Sequence, residues 1–83
     1  MATITKTMKQ DAADSINGLM THIRQSTTRA DADRALGGVL ALANYSQVWS
    51  LITPEDADWV RDCARRAFGK TLARLDAEDM GEL

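Results

Sequence analysis

The chain is short of the residues that build chemical motifs. It has one cysteine, one histidine and one proline among 83 residues. A lone cysteine cannot close a disulfide within the chain, and a reducing compartment is the setting expected for it. A catalytic thiol needs a base and an orienting group, and Cys63 has only His22 to draw on. No second histidine and no cysteine pair stands at ligand spacing, so no metal site is expected. Gly37-Gly38 sits within a helical pattern with no lysine after it, unlike a phosphate-cradling loop. The chain reads as a non-enzyme with no cofactor.

Other absences bound the fold and the setting. Aromatic residues make up 5% of the chain, and β-branched clusters are few, which argues against β-structure. The longest apolar stretch, Val39 to Ala43, is far too short to span a bilayer. No apolar run of signal-peptide length opens the sequence, so a cytoplasmic location is expected. Asn44-Tyr45-Ser46 spells a glycosylation sequon, which reads as chance without such a signal. A net charge of −2 supplies no global pull toward nucleic acid or an anionic membrane.

What is present is helical. Hydrophobic residues make up 45% and charged residues 27%, the balance of a globular domain. A domain this small buries only roughly 60% of the surface its unfolded chain exposes, so association would help it. The expected architecture is all-α: a three-helix bundle in a single domain, with a short extra helical turn before the last helix. The first helix is expected over about 5–25, where Met8, Ala12, Ile16, Leu19 and Ile23 form one stripe. The second is expected over 29–44. Thr28 can cap it, Asp31 follows three residues on, and Ala32, Ala35, Leu36, Val39, Leu40 and Ala43 line its front. Gly37, Ala41 and Asn44 make its back small, as in a central helix with neighbours on both sides. Gly37-Gly38 predicts a closely approaching backbone. Asn44-Tyr45-Ser46 is expected to interrupt the helix, and 46–52 to form the extra turn presenting Val48, Trp49 and Ile52.

The clearest boundary is Thr53-Pro54-Glu55-Asp56: an N-cap, a proline suited to the first helical position, and two acids for the dipole. The third helix is expected over 54–75, followed by an acidic, frayed tail over 76–83. The core is expected from Met8, Ile16, Leu19, Ile23, Leu36, Val39, Leu40, Val60, Ala64, Phe68 and Leu75.

Charge alternates in blocks along the chain. Residues 31–58 carry five acids and one arginine, and residues 59–75 carry five Lys/Arg and one aspartate. The basic block coincides with the Trp59 helix. Trp59, Cys63, Arg66, Lys70 and Arg74 fall within one arc, roughly opposite the core stripe. Trp and Arg are the residues enriched in binding hot spots, so this arc is the candidate partner-binding surface. The bland alternative is a tryptophan lying over the bundle edge beside solvated basic residues.

Two functional classes follow. The leading one is a non-enzymatic protein–protein interaction module, with a protein partner or self-association. The alternative is a small DNA-binding transcriptional regulator, in which 46–52 and the third helix imitate a helix-turn-helix. A recognition helix presents its first residues to base edges, and here those are Glu55, Asp56 and Asp58. Like charge would face the phosphates, which argues against nucleic acid.

The run Thr27-Thr28-Arg29-Ala30-Asp31-Ala32-Asp33-Arg34-Ala35-Leu36-Gly37-Gly38 resembles segments of small uncharacterised helical accessory proteins of bacterial phages and other mobile elements. With the Thr53-Pro54-Glu55-Asp56 helix start the likeness spans about half the chain. It is a likeness of style and carries over no functional residue. It implies a bacterial cytoplasmic setting and an accessory or inhibitory factor that binds a host protein.

Overall fold

The computed structural model describes residues 5–81. It is an all-α three-helix bundle: α1 (Lys6–Gln25), α2 (Arg29–Val48) and α3 (Pro54–Asp79). Each helix packs against both others. All three open on a threonine N-cap. Thr5, Thr28 and Thr53 each accept a hydrogen bond from the backbone N–H three residues on, at 3.1 Å. An N-cap hydroxyl satisfies one of the free donors at a helix start, which is why these boundaries were readable.

The helix ends were less readable. α2 runs through Asn44-Tyr45-Ser46 without interruption, so 46–52 does not form a separate helical turn. Two contacts explain this. Ser46 is fully buried on the same face as Ala43 and Val39, and the Asn44 side chain accepts a bond from Arg61 of α3 at 2.7 Å. Packing holds the turn that local preference would have broken. The helix stops about one turn after Asn44, at Val48, in a Schellman motif. Ser50 N–H donates to the Gln47 carbonyl at 3.0 Å, and Leu51 N–H donates to the Ser46 carbonyl at 2.7 Å. Ser50 takes a φ of 57°, the left-handed conformation that usually calls for glycine. α3 outlasts its expected end at Leu75 and reaches Asp79. Arg74 and Glu78 pair across its last turns, and Gly81, with a φ of 70°, stops it. Residues 82–83 of the expected acidic tail lie outside the described residues.

The core is built mainly from small side chains. Ala12, Ala32, Ala35, Ala43, Ala57, Ala64 and Ala67 are buried, with Ile16, Met20, Ile23, Val39 and Leu75 as the larger members. Leu19, Leu36, Val60 and Phe68 pack against this core half-buried. Met8 was expected inside and is exposed, because the chain from Thr5 to Asp11 is exposed throughout and α1 meets the core only from Ala12. The α1 stripe is also turned relative to the expectation, with Met20 inside and Leu19 at its edge.

The back of α2 faces outward. Gly37, Ala41 and Asn44 are exposed, so α2 meets both neighbours from its front and flanks. No backbone presses on the glycine pair. A Cβ on Gly38 would stand 3.3 Å from a methyl of Leu19, and one on Gly37 would meet nothing within 4 Å.

Candidate partner-binding surface

The arc predicted on α3 is present, but it does not lie opposite the core. Trp59, Cys63, Lys70 and Arg74 run along the seam between α3 and α1, and Arg66 stands beside it on the exposed side of α3. Trp59, Val60 and Cys63 of α3, with Ile16, Asn17, Met20 and Arg24 of α1, line a small cavity of about 130 Å³. Farther along the same seam, Arg24, Ala67, Lys70, Thr71 and Arg74 line a second depression. The helical-wheel estimate failed because α1 covers a flank of α3 that the buried alanines alone do not mark.

The five arc residues differ in what they do. Trp59 is 68% exposed. Cys63 is a half-buried free thiol within the cavity. Exposed His22 does not line this cavity, so nothing pairs the thiol with a base there. Arg66 is exposed and hydrogen-bonded to Asp62 one turn earlier. Lys70 is exposed and pairs with no acid among the described residues.

Arg74 has a structural task. Its guanidinium donates to the backbone carbonyls of Ser26 at 2.5 Å and Arg24 at 3.2 Å. One turn earlier, buried Thr71 donates its hydroxyl to the Ile23 carbonyl at 3.0 Å. The last carbonyls of a helix have no partner within it. Two α3 side chains therefore close the end of α1. Sequence spacing placed Arg74 beside Lys70 but carried no sign of these acceptors, which belong to residues 50 and 48 positions away.

A second exposed surface lies at the end of α2. Tyr45 is 57% exposed, Val48 78% and Trp49 56%. The Tyr45 and Trp49 rings sit 6.1 Å apart at 48°, within the range of a favourable aromatic pair. Val48 and Trp49 were expected to be presented, and they are; Ile52 instead packs half-buried against the core. Tyr45 was missed because the sequence was read as leaving the helix there. Its signal was the i, i+4 spacing to Trp49, visible once α2 is extended.

Arg61 begins the basic block but points into the bundle. It donates to Asn44 and to Asp58, each at 2.7 Å, and to Gln47 at 3.4 Å. Among the described residues, no cluster of three or more His, Cys, Asp or Glu could hold a metal ion. No described helix is long and apolar enough to cross a membrane. Compared with known proteins, the chain matches no family model, and no curated protein and no solved structure is significantly similar to it.

Proposed function

We propose that this protein is a non-enzymatic protein–protein interaction module. One observation carries the reading: three of the four aromatic side chains are outside, around a core built mainly of alanine and aliphatic residues. Of four aromatic residues, only Phe68 packs on the core, while both tryptophans and the tyrosine are more than half exposed. Tryptophan and tyrosine gain most when a partner desolvates them, and a bundle needing stability alone would bury them. The Trp59 seam is the leading contact because its aromatic shares a cavity with Arg24, a cation that pairs with no acid among the described residues.

DNA binding draws less support. Glu55, Asp56 and Asp58 lead α3, and Arg61, Arg66 and Arg74 are engaged within the chain. The single thiol suits a cytoplasmic setting. An accessory or inhibitory role for a phage or mobile element, acting on a host protein, is the context we propose from the resemblance of the Thr27–Gly38 run.

The test uses the tagged chain expressed in bacterial cells and isolated with its complexes. A stoichiometric protein partner, either a second copy or another protein, is expected with wild type and is lost in Trp59→Ala. Tight binding to duplex DNA with a steep salt dependence, and no protein partner, would replace this reading with the regulator.

A further inference from the structure

α3 leaves one face uncovered by α1 and α2. Trp59, Asp62, Arg66, Gly69 and Ala73 lie along it, all exposed, at alternating spacings of three and four residues. That spacing places them on one face, with Trp59 at one end, Gly69 and Ala73 at the other, and the charged Asp62 and Arg66 between them. Charge divides along the same line. Asp58 and Asp62 come first, followed by Arg65, Arg66 and Lys70, all exposed. The helix dipole does not account for this order, because α3 ends in Asp76, Glu78 and Asp79, where acids are disfavoured.

We infer that the occupant of this face is a second copy of the same chain, docked antiparallel. A parallel copy would set acid against acid and base against base; an antiparallel one sets the acidic stretch against the partner's basic stretch, with only the residue at the axis facing its own copy. A two-fold pair centred on Arg66 is self-complementary in the way a symmetric dimer requires. It lays Trp59 over the partner's Gly69 and Ala73, and sets Asp62 against the partner's Lys70. Gly69 suits an indole: space is open where its Cβ would stand, so the ring can rest on the backbone. Lys70, which has no acid in its own chain among the described residues, gains one. The two Arg66 side chains meet near the axis, each already neutralised by its own Asp62. The seam ends at Ala73. Crossing helices diverge beyond their contact, which carries Glu55 away from the acidic end of the partner.

This inference rests on the reading of the Trp59 face as a protein-binding surface. The test is sedimentation of the full chain under reducing conditions, from about 1 µM to 1 mM, a range suited to a small interface. The mass is expected to rise from one chain to two. Trp59→Ala and Lys70→Glu should each weaken the dimer ten-fold or more while leaving the circular-dichroism melt of the monomer in place. Lys70→Arg keeps the positive charge opposite the partner's Asp62 and the Asp62–Arg66 pair intact, and should leave the dimer in place. A monomer at every concentration overturns the inference, as does a dimer indifferent to both Trp59→Ala and Lys70→Glu. If the chain is monomeric and yet loses another protein partner in Trp59→Ala, the second copy is rejected and the broader protein-binding reading stands. Monomer and no Trp59-dependent partner reject both.

Discussion

The two ends of the bundle are built on different principles. Where α1 ends, side chains from α3 close the structure: Thr71 and Arg74 reach across to the carbonyls of Ile23, Arg24 and Ser26. Where α2 ends, the backbone closes on itself through the Schellman bonds of Ser50 and Leu51. The first end uses its polar groups to hold the fold. The second end is tied to α3 only between side chains, Arg61 to Asn44 and Gln47, with no α3 group on its last carbonyls, and it leaves Tyr45, Val48 and Trp49 exposed, with Trp59 on α3 a turn past that junction. One end is consumed by stability; the other leaves its aromatic side chains in water. Lys70 and Arg74, one turn apart on the same helix, show how close the two uses lie.

The comparison is sharpest in a pair of truncations. Ile23 is fully buried at the clamped end. Ile23→Ala should cost about 3 kcal/mol in a denaturant titration at low protein concentration. In a domain this small that is much of the total stability. Trp59→Ala, measured the same way, should cost under about 1 kcal/mol, since most of its surface is already in water. Equal costs would place Trp59 in the core and erase the distinction between the ends.

Arginine and lysine on the same arc should separate next. Arg74→Ala should lower stability by about 1–2 kcal/mol through loss of its bonds to the α1 carbonyls. Lys70→Ala should stay within about 0.5 kcal/mol, as exposed side chains without partners generally do. Thermal melts of the two variants side by side read this directly. Similar values would mean that Arg74 is not a clamp.

At the opposite end the expected effect is a gain. Ser50 holds a φ of 57°, which costs a residue with a Cβ about 1 kcal/mol. Ser50→Gly should recover most of that and raise the melting temperature. A loss would show that the serine side chain contributes something its backbone conformation does not reveal. The smallest effect distinguishes neighbouring glycines on α2. Gly37→Ala should stabilise by roughly 0.5–1 kcal/mol, because open space surrounds the new methyl. Gly38→Ala should gain less or lose, because the methyl meets Leu19 at 3.3 Å. Hydrogen exchange along α2 would show whether either change stiffens the helix toward the exposed aromatics.

Much of the fold was legible because its signals are local. The three threonine caps, the proline of α3 and the apolar spacing of each helix depend on residues within a few positions of one another. The helix ends were less legible. The break expected at Asn44 is removed by Arg61, which lies 17 residues away. The true stop at Ser50 carries no glycine to announce it. For the candidate surface, the tryptophan and its basic neighbours were visible as a helical arc. That Arg74 belongs to the fold, and that the arc borders α1, depended on contacts between helices.

Periodicity and capping act within a turn or two of the chain, so the helical class, the start of each helix and the residues that share a face are set locally. Packing between the helices fixed the rest: where α2 and α3 end, which cations are taken up by backbone carbonyls, and which aromatics stay in water. Those outcomes depend on which groups distant segments bring within hydrogen-bond or van der Waals reach, and that pairing is set by how the three helices pack together.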